Sequence, residues 1–179
     1  MNLFVKILLF IAGVIALLMI IAMFVEKDYV VKREVIINKP AAEVFNYVKH
    51  VKNQDNYNKW VMADTNMHRS YKGNDGTVGF VSAWDSDDKN VGKGQQEITN
   101  IDEGKRIDLA LRFERPMEGD GNAYMTTETI TPKQTKVNWV MQGSNKYPLN
   151  FMNLFIDKLL GTDLQTSLNN LKALLERNK

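Results

Sequence analysis

The sequence predicts an α+β protein: one membrane-spanning helix, then an antiparallel sheet of about seven strands packed on a long C-terminal helix. Three observations predict it. Residues 7–25, "ILLFIAGVIALLMIIAMFV", carry no charge. Residues 67–143 run in short alternating segments broken by turn residues. The C-terminal stretch, from Pro148, sets apolar side chains at helical spacing.

The uncharged run comes first. As a helix, its length spans roughly 28 Å at about 1.5 Å per residue, close to the hydrocarbon core of a bilayer. A buried core helix would show a polar face, and this run has none. A cleaved signal peptide is the alternative, but "AMFVEK" offers no small-x-small cleavage site. The reading is therefore an uncleaved single-pass anchor over residues 1–27 and a domain over 28–179. Lys27, Lys32, Arg33 and Lys39 outnumber Lys6 and the α-amino group, so the positive-inside rule leans towards a cytoplasmic domain. A signal-anchor with its domain outside is the other orientation considered.

The domain is legible in order. "YVVKREVIIN" reads as a strand. "KPAAEVFNYVKHV" reads as a short helix with Pro40 at its first position. "NQDNYNKWVMAD" is a polar connection ending in an aromatic plug, Trp60. Strands follow in "MHRSYK", "TVGFVSAW", "GKGQQEITNI", "RIDLALRF", "NAYMTTETI" and "TKVNWVMQG". Their connections are "GNDG", "DSDDKN", "DEGK", "EGDGN" and "TPKQ", all turn chemistry. Strands joined this closely form an antiparallel meander. The C-terminal helix carries Phe151, Leu154, Phe155 and Leu159, then Leu164, Leu168, Leu171 and Leu175, with Gly161 between the two sets as a point of bending or relaxation. An apolar stripe must be buried, and the sheet is the only large partner available.

Composition narrows the chemistry. The 179 residues hold 23 basic and 21 acidic side chains of interspersed sign, which is not the basic stripe of a nucleic-acid binder. There is no Cys, so disulfides, thiolate metal sites and Cys nucleophiles are excluded. Two histidines, His50 and His68, cannot furnish a multi-histidine metal site, and each is read as a surface or structural residue. "DSDDKN" lacks the central Gly and the spaced Glu of a calcium loop, so it is read as a hairpin tip. No P-loop, dinucleotide fingerprint or Ser-His-Asp pattern is present. No metal or cofactor is expected.

These segments resemble the START-like, helix-grip superfamily, often called the SRPBCC or polyketide cyclase/lipid-transport family. "INKPAAEVFNYV", "NYNKW", "VGFVSAW" with "GKGQQEIT", "TKVNWVMQG" and "LLGTDLQTSLNNLKALLE" carry the resemblance, over about residues 29–177. It implies a curved sheet wrapped around the long helix with a cavity between them. Members bind lipids, hormones, polyketides or other apolar molecules, and some catalyse cyclisation or dehydration. Fold alone does not choose among these functions.

Alternation then assigns an inner face. Phe80, Ser82 and Trp84 share one face, as do Leu109, Leu111 and Phe113. Pairing across "DEGK" sets Ile98 opposite Leu109 and Gln96 opposite Leu111. If Thr131 pairs with Lys136 across "TPKQ", then Ile130 faces Val137, Glu128 faces Trp139 and Thr126 faces Met141. Phe151 and Phe155 would approach from the helix, and "ERPM" would begin a crossing near the cavity mouth. Glu128 is the sharpest of these. A carboxylate facing an apolar cavity has its pKa raised by desolvation, and it could hold a polar ligand group or act as a general acid or base. The competing reading is a one-residue slip, which turns Glu128 to solvent and Met125, Thr127 and Thr129 inward. Three functions follow. The first is a membrane-tethered binding module for a small hydrophobic or amphipathic molecule. The others are a cyclase- or dehydratase-type enzyme working through Glu128, and a ligand-free scaffold for an unknown protein partner.

Overall fold

The computed structural model describes residues 2–177. Helix α1 covers Leu3–Phe24 and is long and apolar enough to cross a membrane, a property shared with signal sequences. Of its residues only Ala22 is buried. Strand β1 (Asp28–Ile37) follows, then α2 (Ala41–Val48), a 3-10 turn (Val51–Asn56) and the short α3 (Lys59–Ala63). Pro40 caps α2 from outside rather than opening it.

The meander comprises β2 (His68–Lys72), β3 (Val81–Asp85), β4 (Lys93–Asp102), β5 (Arg106–Arg115), β6 (Gly119–Thr131) and β7 (Gln134–Ser144). A second 3-10 turn (Leu149–Met152) leads into α4 (Asn153–Arg177). All seven strands form one antiparallel sheet in the order β1-β7-β6-β5-β4-β3-β2, so β1 closes one edge by pairing with the last strand. The sheet and α4 grip each other as the sequence predicts. The expected turn at "EGDGN" lies earlier, at residues 116–118, and Gly119 already belongs to β6.

The sheet's inner face has two ends. At one, Phe80, Ile98, Ile107, Met125 and Val137 pack on Val44 and Val48 of α2 and on Leu164, Leu168 and Leu171 of α4. All are essentially removed from water, and burial of this kind contributes about 1.5–3 kcal/mol per large side chain. At the other end the sheet and helix diverge.

The connection between α2 and β2 is held at both sides. Asp75, in the loop after β2, accepts from the backbone N–H groups of Val51 (2.8 Å) and Lys52 (3.1 Å), the free donors of the first 3-10 turn. The buried Ser167 of α4 accepts from the Lys59 N–H (2.9 Å), and Asn170 donates to the Tyr57 carbonyl (3.2 Å). Gln54, Asn58 and Trp60 are thereby set against the divergent end.

Helix α4 runs unbroken through Gly161, so the expected bend is not formed. Gly161 is buried under the Arg33 guanidinium of β1, which makes a forked pair with Asp157 (2.9 Å to each carboxylate oxygen). That hydrogen bond holds the Asp157 carboxyl below its ordinary value. A depressed carboxylate pKa contributes stability above the unfolded value and loses it as pH falls through the folded one. The stability difference between wild type and Asp157→Asn is therefore expected to be flat from about pH 5 to 8 and to shrink below about pH 4. Asp157 is mostly exposed, so the difference is small and salt-sensitive. Denaturant midpoints across that range measure it, and a difference that grows on acidification would refute the assignment.

Candidate functional site

Between the divergent end of the sheet and the first turns of α4 lies a cavity of about 870 Å³. Small-molecule sites occupy ~300–1,000 Å³. Strand β3 contributes Ser82 and Trp84, β4 Gln96, β5 Leu109, Leu111 and Phe113, β6 Ala123, and β7 Trp139 and Met141. Trp60 closes it from α3, and Leu149, Met152, Ile156 and Leu160 from the helix side. A shallower hollow of about 540 Å³ lies on the opposite, solvent face among polar residues such as Gln95, Arg112 and Gln142.

Register explains which residues meet. The β4/β5 pairing is the one read from the sequence: Ile98 opposite Leu109 and Gln96 opposite Leu111. Leu109, Leu111 and Ala123 therefore alternate inward beside Trp139 and Met141. At β4 a missing side chain builds part of the wall. Gly94 lies between Trp84 and Phe113, and a Cβ there would stand 2.7 Å from the Trp84 ring. The two rings meet edge to face at 6.1 Å, and the Trp84 indole donates to the Val91 carbonyl (3.3 Å). Trp139 lies edge-on to the buried Tyr57 ring at 6.1 Å. Its indole N–H is buried without a hydrogen-bond partner. Trp139 thus both packs on protein and walls the cavity.

One buried neutral cluster interrupts the mostly apolar lining, whose cations Arg115 and Lys146 are exposed. The Gln54 and Gln96 amides exchange hydrogen bonds (3.3 and 3.1 Å), and Asn58 donates to the Gln54 carbonyl oxygen (3.0 Å). Ser82, across from Gln96 in the β3/β4 ladder, is buried beside them. Nearby Arg69 pairs with Asp55. The remaining carboxylates of the lining, Glu118 and Asp120, are exposed at the rim. Neutral amides and a hydroxyl can orient a carbonyl or hydroxyl group without demanding a charge.

Other expected positions fall elsewhere. The β6/β7 pair does not form with Thr131 opposite Lys136. Thr131 pairs with Gln134, and a register shift before it sets Glu128 opposite Lys136, Thr126 opposite Asn138 and Met125 opposite Trp139. The tighter turn moves the pairing by two residues and keeps the face, and the shift between Thr129 and Thr131 adds one more, so Glu128 points to solvent and its carboxylate meets the Lys136 ammonium at 2.7 Å. Thr126 sits on that outer face and accepts from Asn138 (3.1 Å). Met125 and Thr127 are buried instead, while Thr129 is exposed. Phe80 and Ile98 lie inward but belong to the closed core, not to the cavity. Phe151 is half-buried in the second 3-10 turn, outside the lining. Phe155 is exposed on α4, because Ile156 and Leu160 occupy the inward phase of that helix. Removing an exposed partner of an ion pair costs little: Glu128→Gln is expected to shift stability by no more than about 0.5 kcal/mol and to leave ligand occupancy unchanged. Thermal melts and native mass spectra of the variant check this.

Gln54, Asn58, Ala123, Met152, Ile156 and Leu160 escaped the sequence reading. The two amides stand in a polar connection where nothing in the pattern marks one residue over the next. Ile156 and Leu160 were legible as an i, i+4 pair continuing to Leu164 and Leu168.

Residues 29–176 match the family model described as "Polyketide cyclase / dehydrase and lipid transport". The chain belongs to that family. No curated protein matches it. Among solved structures, norcoclaurine synthase from Thalictrum flavum, in complex with dopamine and hydroxybenzaldehyde, superposes with a TM-score of 0.68 at 10% identity. That match covers 89% of this chain and 93% of the synthase. A protein from Thermobifida fusca gives 0.60 at 16% identity, over 80% of this chain and 90% of its own. One from Chromobacterium violaceum gives 0.59 at 15% identity, over 82% and 96%. At such identities the likeness is one of fold, the helix-grip fold. The Polyketide cyclase / dehydrase model spans the sheet and α4 but for Asp28 and Arg177, and leaves α1 outside it.

Proposed function

We propose that the protein is a membrane-tethered binding module that holds a small hydrophobic or amphipathic molecule between the sheet and α4. The carrying observation is the 870 Å³ cavity, apolar on most sides with one neutral amide-hydroxyl cluster from Gln54, Asn58, Gln96 and Ser82. Such a lining favours a molecule with an apolar body and one uncharged polar group. Family membership supports the reading, since lipid transport is among the activities the family model describes. Helix α1 is the tether, with the domain on the cytoplasmic side by the balance of Lys and Arg around it. Catalysis through Glu128 is not part of the proposal, because that carboxylate lies on the outer face.

The test is native mass spectrometry of the full chain released from membranes in detergent, followed by solvent extraction of whatever leaves with it. A stoichiometric small molecule, uncharged in its polar part, is the expected result. A bare mass that stays bare after incubation with total lipid extract would sink the proposal.

A further inference from the structure

We infer that the turn Leu149–Met152 and the first two turns of α4 lie in the interfacial layer of the bilayer that holds α1, so that the cavity opens onto lipid rather than water. This rests on the membrane tether proposed above.

The first observation is an apolar surface with no protein on it. Leu154 is 60% exposed, Phe155 58% and Leu159 55%, all on one side of α4, and Leu149 precedes them at 47%. A helix face this apolar in a water-facing position is unusual, and contiguous patches of this kind mark interaction sites. The second observation sets its height. The Asn150 side-chain amide donates to the carbonyls of Ala22 and Val25, at 2.7 Å each. Asn153 does the same to Glu26 and Lys27, at 2.8 Å each. These carbonyls end the apolar helix and begin its exit segment, so the patch is bonded to the level at which α1 leaves the hydrocarbon. The third is charge. Lys27, Lys146 and Lys158 are exposed on the segments that flank these apolar residues, with Glu26 and Asp28 exposed beside Lys27 and Asp157 paired to Arg33, so the rim of the patch is charged, as at a headgroup layer.

A bilayer is the occupant these facts choose. A protein partner would need the same plane, which α1 already assigns to lipid. The consequence concerns access. Leu149, Met152 and Ile156 of the same segment line the cavity, so one short stretch has lipid on its outer side and the cavity on its inner side. A hydrophobic molecule could pass between the two without crossing water.

The chain has no Cys, so single labels can be placed directly. The full chain carrying Phe155→Cys or Leu159→Cys would be spin-labelled in vesicles of phosphatidylcholine and phosphatidylglycerol. Accessibility to oxygen and to a water-soluble nickel chelate would be compared with labels at Ile15→Cys in α1 and Ala173→Cys at the far end of α4. Loss of nickel accessibility at 155 and 159, relative to 173, is expected. Leu154→Cys serves as a further position if labelling at 155 disturbs the turn. Nickel access at 155 and 159 equal to that at 173, with 15 protected, would overturn the inference and leave the tether standing. Nickel access at 15 as well would overturn both.

Discussion

Ala123→Phe is expected to expel the bound molecule while the fold stands. Ala123 is buried on β6, opposite Leu109 on β5 and Met141 on β7, and it is the smallest inward side chain of the cavity wall apart from glycine. In a filled core the same change would overpack, at a cost of about 1–3 kcal/mol. Here the added ring enters the 870 Å³ cavity and covers apolar surface that the ligand would otherwise cover. Affinity should fall by about tenfold or more, equivalent to ~1.4 kcal/mol. The melting temperature should move by no more than about 2–4 °C, which corresponds to ~1 kcal/mol in a domain of this size. Native mass spectra and thermal melts of the two proteins separate the outcomes. Undiminished occupancy in a folded variant would place the molecule elsewhere and end the binding proposal for this cavity.

Where sequence reasoning succeeded, the cause was a strong local period or an unambiguous turn. "DEGK" closes β4 on β5 as a short turn with Gly104 in the left-handed region, so Ile98 and Gln96 meet the expected partners, and the wall residues Gln96, Leu109 and Leu111 follow from it. "TPKQ" admits two closures, and alternation is equally satisfied by both. The protein uses the tighter one, which moves the pairing by two residues, and the register shift between Thr129 and Thr131 adds the third that turns Glu128 from cavity to solvent. The helix failed differently. Helical spacing reads Leu154, Phe155 and Leu159 as part of the buried stripe, and the structure exposes all three. The continuous inward line is Ile156, Leu160, Leu164, Leu168, and the bulky residues form a second stripe aimed outward. Hydrophobicity alone does not separate a core-facing side chain from an outward-facing one on such a helix. The amide cluster was illegible because Gln54 and Asn58 are brought to Gln96 by tertiary contacts, through Asp75, Ser167 and Asn170, with no periodic signature.

Gly161→Ala should stabilise the protein by less than that substitution usually does in a helix. Propensity alone favours Ala by about 0.8–1.0 kcal/mol. At this position, however, an added Cβ would overlap the Arg33 guanidinium, which lies across the helix to reach Asp157. The overlapping atoms are the far end of a flexible side chain, so Arg33 swings away and the forked pair breaks. The pair is partly exposed, so its loss costs no more than about 1 kcal/mol. That loss offsets part or all of the propensity gain, and a net change of about 0–1 kcal/mol in favour of Ala is expected. The full gain should return when the obstacle is removed. In an Arg33→Ala background the same glycine change loses its clash and keeps its propensity gain, so it should stabilise by up to about 1 kcal/mol. Urea titrations of the four proteins close this cycle. If Gly161→Ala stabilises both backgrounds equally, Arg33 does not rest on the helix, and the glycine has no packing role in the grip of sheet on α4.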